Sequence, residues 1–317
     1  MSVYSLVKPK QFLYLFLPFL LLGACAVTSK RSTPITQGNP TEFETLDLSE
    51  KGPIRFQKIL AADWVAERNG LIHLKDPKAV AANLEPGKEP IQIYFYVIDH
   101  PKFGRYIIDT GMSSGFRKPQ EEWPVPGFIS SRMNGDKLKT KITIQEWLAK
   151  DPKKVEGAFL THMHMDHIFG SLDLPAGTPL ITGPGESADS RFIHLFVQSA
   201  TDRILGENIS LSELKFDTKD GKTTRILDYF GDKSFYVIYV PGHTAGSLAF
   251  LIKSTNGSQL VLGDTCHTKW GWENQVPPGE YTKDREANIE SLNYLKQISL
   301  KFPKIQVHPG HQSIGDK

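Results

Sequence analysis

Apolar positions fall into short runs separated by polar turns along most of the chain. Ile91 to Ile98 (IQIYFYVI) is β-branched and aromatic and predicts a strand. Arg105 to Ile108 predicts a second, entering Asp109, Thr110 and Gly111, and Val155 to Leu160 predicts a buried strand that ends at Thr161. Further strands are expected near 223–228, 234–240, 248–252 and 259–263, with a last short one at Ile305 to Val307. Helical spacing of Ile289, Leu292, Leu295 and Ile298 predicts an amphipathic helix over 284–300. Phe192, Leu195, Phe196, Ile204 and Leu205 predict helix across about 184–215. Thr143 with Glu146 three residues later is a capping-box pattern and opens a short helix through Trp147 and Leu148. The Gly- and Pro-rich stretch 112–140 reads as a long loop. Strands mixed with helices, each strand ending in a polar cluster, predict an α/β layered sandwich.

The first residues follow another pattern. Lys8 and Lys10 precede an apolar run from Phe12 to Leu22, interrupted by Pro18, and Gly23 and Ala24 then lead to Cys25. A transmembrane helix needs about 20 apolar residues, so the run predicts a secretory leader over 1–24. Leu22, Gly23, Ala24 and Cys25 resemble the bacterial lipoprotein signal. That resemblance implies a lipid on Cys25, which would begin the mature chain, and a protein held outside the cytoplasm. Ala26 rather than Asp after the cysteine points, by the same resemblance, to the outer membrane, facing the periplasm. Residues 25–52, rich in Ser, Thr, Pro and Gly, predict a flexible tether, which leaves 53–317 as one domain.

Composition narrows the class further. A chain of 317 residues with 39% hydrophobic and 10% aromatic content can bury a core. Without Lys8 and Lys10 its basic and acidic residues balance, so there is no electrostatic case for nucleic acid. Two cysteines, Cys25 and Cys266, cannot form a disulfide framework, and Cys266 is expected to be a buried free thiol. No internal repeat is visible.

The chemistry lies in four clusters that each follow a predicted strand. These are His162-Met163-His164-Met165-Asp166-His167, Gly242-His243-Thr244, Gly263-Asp264-Thr265 and Pro309-Gly310-His311. Imidazole and carboxylate are ligands that suit zinc, iron or manganese. His162 and His164 share a face of an extended segment, so both can reach one ion. Asp166 and His167 fall where the chain turns into a helix and can face a second. Pro and Gly beside His243 and His311 permit the sharp turns that present an imidazole, which favours His311 over His308.

The four clusters resemble the metallo-β-lactamase superfamily over about residues 54–317. The resemblance implies an αββα four-layer sandwich with two divalent metal ions, zinc first and iron or manganese next, at one edge. It assigns His162, His164 and His243 to the first ion, Asp166, His167 and His311 to the second, and Asp264 to both. Asp109 would stand behind the ligands and orient one of them. The implied reaction is attack by a metal-bridging hydroxide on a small ester, with ions roughly 3.5–4 Å apart and Asp166 also moving a proton.

Asp264 separates the chain from true β-lactamases of this fold, which carry Cys or Ser there. The spacing of His243, Asp264 and His311 is similar to that of N-acyl homoserine lactone lactonases, which implies a lactone as the small-molecule substrate. Thioester, phosphodiester and β-lactam hydrolysis are the alternatives within the fold, and a non-catalytic periplasmic metal-binding lipoprotein is the alternative outside it. Where those lactonases carry Tyr, this chain has His267, a candidate hydrogen-bond donor to the substrate carbonyl. Trp270 and Trp272 pack in the core or line an acyl pocket, and the segment 184–215 is a candidate cap over the site. Oligomeric state and native metal stay open.

Overall fold

The computed structural model describes residues 25–207, 209–219 and 222–314. The leader expected over 1–24 lies outside the described residues. Among those described, no helix is long and apolar enough to cross a membrane.

Two sheets carry the fold. The first has eight strands in the order Thr33–Ile35, Ser210–Leu214, Pro179–Thr182, Val155–Phe159, Gly104–Ile108, Lys88–His100, Arg55–Glu67 and Lys139–Thr140. The second has six, in the order Gln306–His308, Gly257–Val261, Leu248–Ser254, Phe235–Tyr239, Ile226–Asp228 and Asn39–Thr41.

Side chains alternate across a strand, and here both sides are apolar. In Lys88–His100, Ile91, Ile93, Phe95 and Val97 point to an outer core, while Tyr96 and Ile98 point to the other sheet. Likewise Phe235, Val237, Phe250 and Ile252 face inward, and Tyr236, Ile238 and Leu251 face outward. Each outer face is then covered by helices. Ile144, Trp147, Ile168, Ala200 and Ile204 cover the first sheet, and Leu292, Leu295 and Ile298 of the helix Arg285–Lys301 cover the second. The result is a helix–sheet–sheet–helix sandwich.

The expected strands and the final helix are present with ends shifted by a few residues. The capping box also forms: Thr143 Oγ1 accepts from Glu146 N–H at 3.1 Å, and Glu146 Oε2 accepts from Thr143 N–H at 3.0 Å. Short helical turns such as Gly127–Arg132 punctuate the loop expected over 112–140.

Three regions depart from the reading of the sequence. Arg55–Glu67 is a 13-residue strand paired along its length with Lys88–His100, although its residues RFQKILAADWVAE carry no strand pattern. The helix expected over 184–215 is confined to His194–Leu205, and Ser210–Leu214 is a strand bonded in parallel to Pro179–Thr182. The tether expected over 25–52 is built into the body. Thr33–Ile35 pairs with Ser212 to Leu214, and Asn39–Thr41 pairs with Ile226 to Asp228. Ser, Thr and Pro in this segment sit on sheet edges, where backbone pairing matters more than side-chain apolarity.

Candidate metal centre

Strand direction gathers the site. Gly104–Ile108, Val155–Phe159 and Pro179–Thr182 run parallel, so Asp109 and the His162 segment leave the first sheet at one edge. In the second sheet Phe235–Tyr239 and Gly257–Val261 are each antiparallel to Leu248–Ser254, and Gln306–His308 is parallel to Gly257–Val261. His243, Asp264 and His311 therefore emerge at one edge as well.

All seven candidate ligands meet there, and His267 joins them. Donor atoms of His162, His164, His243 and Asp264 lie within 4.8 Å of one another, as do those of Asp166, His167 and His311, and those of Asp264, His267 and His311. Asp264 Oδ2 is the hub. It lies 3.7 Å from His162 Nε2, 3.6 Å from His243 Nε2, 3.3 Å from His167 Nε2, 3.2 Å from His311 Nε2 and 3.0 Å from His267 Nε2. Asp166 Oδ2 is 3.2 Å from His311 Nε2, and His164 Nδ1 is 2.9 Å from His243 Nε2.

Backbone shape makes this convergence possible. A Cβ at Gly310 would lie 2.0 Å from Asp264 Oδ1. Gly242 has φ +135°, and a Cβ there would lie 2.2 Å from the backbone nitrogen of Asn288. Both positions bring a ligand-bearing turn closer than a side chain permits.

Groups behind the ligands fix their tautomers. His167 Nδ1–H donates to Asp109 Oδ2 at 2.8 Å, and His311 Nδ1–H donates to the Gln92 carbonyl at 2.8 Å, so each ring turns Nε2 to the cluster. Asp109 sits at φ 55° and also accepts from Thr161 N–H at 2.7 Å. Thr161 Oγ1 in turn lies 3.2 Å from His162 Nδ1. After these bonds, His162 Nε2, His167 Nε2 and Asp264 Oδ1 are buried without a hydrogen-bond partner. Leaving such an atom unpaired costs about 1–3 kcal/mol, and ligation to a cation removes the cost. The donor set fits divalent metal.

Electrostatics agree. Burial drives His162 and His243 well below the usual histidine range, and burial with Arg191 nearby lowers His164 to about 3. These rings are neutral nitrogen donors. Against its burial, His311 is raised to about 10 by Asp264 and by its hydrogen bond to Asp166. His167, also against burial, is raised by Asp264 and Asp109. The carboxylates thus demand positive charge at this end, whether as protons or as metal.

The His267 side chain is almost fully buried, with Nε2 on Asp264, and its ring stands 6.3 Å from that of Tyr281. His308 lies elsewhere, bonding Gln259 Oε1 at 2.8 Å and packing on Phe56 and Tyr96. Cys266 is buried, and burial raises its thiol to about 12. Trp272 packs in the second outer core with Lys296 over its ring, and Trp270 packs against the first.

Two residues absent from the sequence reading shape the site. Buried Glu186 accepts from Met163 N–H at 2.6 Å, Thr244 Oγ1 at 2.7 Å and Gly246 N–H at 2.9 Å, so it ties the His162–His164 segment to the His243 turn. Arg191 donates to the His243 carbonyl at 2.6 Å. Neither has a motif; a Glu in a Gly-Pro-Gly turn gives no signal of long-range contact.

Comparison with known proteins agrees with the geometry. The family model "Metallo-beta-lactamase superfamily" matches residues 89–297. The N-acyl homoserine lactonase AttM of Rhizobium johnstonii is 25% identical over 219 residues, 66% of this chain and 78% of that protein. The gamma-lactamase FDB1 of Fusarium pseudograminearum is 26% identical over 233 residues, covering 68% of this chain and 54% of that one. A solved quorum-quenching N-acyl homoserine lactone lactonase superposes with TM-score 0.58 at 19% identity, covering 83% of this chain and 94% of its own.

Proposed function

The chain belongs to the metallo-beta-lactamase superfamily, and we propose that it is a two-zinc hydrolase that opens the ring of a small lactone, held on the outer membrane by a lipid on Cys25. The observation that carries the reading is the hub position of Asp264, whose Oδ2 approaches imidazoles of both three-residue groups. A carboxylate shared in this way fits two cations rather than one. Zinc suits the imidazole-rich donor set. The AttM match, which spans most of that protein, supports a lactone.

A pair of bound cations supplies a water acidic enough to attack at neutral pH and polarises the substrate carbonyl. The protein's own groups handle protons and orientation. Asp166, whose Oδ2 stands 3.2 Å from His311 Nε2 within the cluster, is the carboxylate that would take the proton of the attacking water. As oxygen adds to the carbonyl carbon and the ring C–O bond breaks, the same carboxyl returns that proton to the leaving alkoxide. Asp109 and Gln92 hold the His167 and His311 rings in register during this exchange. His267, bonded to Asp264 at 3.0 Å, steadies the shared carboxylate, a positioning role in place of the substrate contact expected from sequence.

The test is a panel of lactone, γ-lactam, thioester, phosphodiester and β-lactam substrates on zinc-loaded protein and on Asp166→Asn. Lactone turnover that falls by about 10²–10⁴ in the variant is expected. Turnover confined to another substrate overturns the lactone, and one metal per chain by elemental analysis overturns the two-cation centre.

A further inference from the structure

The helix His194–Leu205 and the turn before it present apolar residues outward. Phe192, Ile193, Leu195 and Phe196 are 58%, 54%, 37% and 52% exposed. Phe192 and Phe196 stack edge to face with centroids 5.6 Å apart. Exposed Leu172 flanks the far end of the helix at Gly206. A surface helix ordinarily turns its polar face to water. Here the outward stripe begins Phe, Leu, Phe, and a contiguous exposed apolar patch marks an interaction surface.

The first described residues pack along the His194, Gln198 and Asp202 side of the same helix, beside the start of the apolar face. Cys25 pairs with Arg191, the residue before Phe192, and Ala26 pairs with Ser190. The Cys25 carbonyl lies 3.2 Å from His194 Nδ1, and the Ala26 carbonyl accepts from Gln198 Nε2 at 2.8 Å. Val27 N–H donates to the Asp189 carbonyl at 2.8 Å, and Thr28 and Ser29 bond Asp202 on the same helix. From Cys25 onward there is no slack between a lipid on that residue and the folded body.

We infer that the Phe192–Phe196 face is a bilayer-docking surface that lays the enzyme on the membrane with its metal centre at the contact rim. The inference rests on the proposed lipid at Cys25. A tether without slack holds the face at high effective concentration against the bilayer, an advantage that a freely diffusing second copy lacks. Aromatic rings suit the headgroup boundary. The metal centre is near because Arg191, at the root of this face, bonds the His243 carbonyl, and the helix Met165–Ile168, which carries Asp166 and His167, packs against His194–Leu205. Docking would open the site to amphiphilic substrates drawn from the lipid.

An environment-sensitive fluorophore on Phe196→Cys tests this in the full chain, with Leu300→Cys, 71% exposed on another helix, as control. Vesicles of phosphatidylethanolamine and phosphatidylglycerol carry doxyl-labelled chains. The expected result is a blue shift and doxyl quenching at 196 and neither at 300. An unshifted label at 196 overturns the docking surface even where the protein floats with the vesicles. A shift present without vesicles also overturns it. Growth of that shift with protein concentration identifies a second copy as the occupant, and a constant shift identifies the chain's own leader. Mass spectrometry of Cys25 reads the anchor separately: an unlipidated Cys25 with a vesicle-dependent shift at 196 sinks the anchor and leaves the docking standing.

Discussion

Asp109 is the residue whose role was least determined by its neighbours in sequence. A turn Asp before Gly111 is unremarkable on its own, yet its carboxylate fixes the tautomer of His167 and the backbone of Thr161. Its hydrogen bonds go to Thr161 and to His167 Nδ1, on the side of that ring away from Nε2. Asp109→Asn should therefore weaken metal binding about 10–100-fold, the usual effect of losing a group behind a ligand, with the fold retained. Chelator competition against the unaltered chain measures it, and unchanged affinity would refute the assignment. The seven candidate ligands were legible as a set because histidine and aspartate at short spacing after strands have few other uses. Glu186 was not, since its three donors come from segments far away in sequence.

At the scale of elements, ligand-bearing turns are held by contacts between segments rather than by their own propensity. Glu186 bonds the His162–His164 segment and the Thr244–Gly246 turn at once. Glu186→Ala leaves the buried N–H groups of Met163 and Gly246 without an acceptor and should cost on the order of 3 kcal/mol. A denaturant melt that moves by much less would show the two segments to be independently stable. The same logic explains Arg55–Glu67. Its Lys, Gln, Asp and Ala content argues for no particular element, and it becomes a strand because Lys88–His100 offers a full ladder of backbone partners. Strand propensity is weak compared with such pairing.

For the whole molecule, the site links stability to pH. The unfolded chain protonates His164 near its usual 6.5, whereas the folded chain resists until about 3, so the metal-free protein loses stability as pH falls below 6.5. His311 has the opposite sign. Its folded value is raised to about 10, so its contribution is complete below 6.5 and is lost as pH rises toward 10. The site's contribution to metal-free protein should therefore peak near its histidines' usual 6.5. Zinc should replace the His311 and His167 protons, bind more tightly as pH rises, and stabilise the fold by about 2.7 kcal/mol at a hundredfold excess over its Kd. Thermal melts with and without chelator across pH check both signs; a metal-free optimum well away from 6.5 would contradict them.

The sequence by itself determined most strands, the capped helix at Thr143, the last amphipathic helix and the candidate ligands that the fold gathers into one cluster. Each of these is written in local chemistry: alternation, capping residues, or metal-binding side chains at short spacing. Tertiary structure alone decided that Arg55–Glu67 is a strand, that 184–215 is only part helix and that residues 25–52 are woven into both sheets. Backbone hydrogen bonds to distant strands set those outcomes, and no local pattern records them. It also decided where the opening histidines point. Parallel strand ends brought four separate clusters around Asp264, and only that convergence separates a shared carboxylate from seven scattered polar residues.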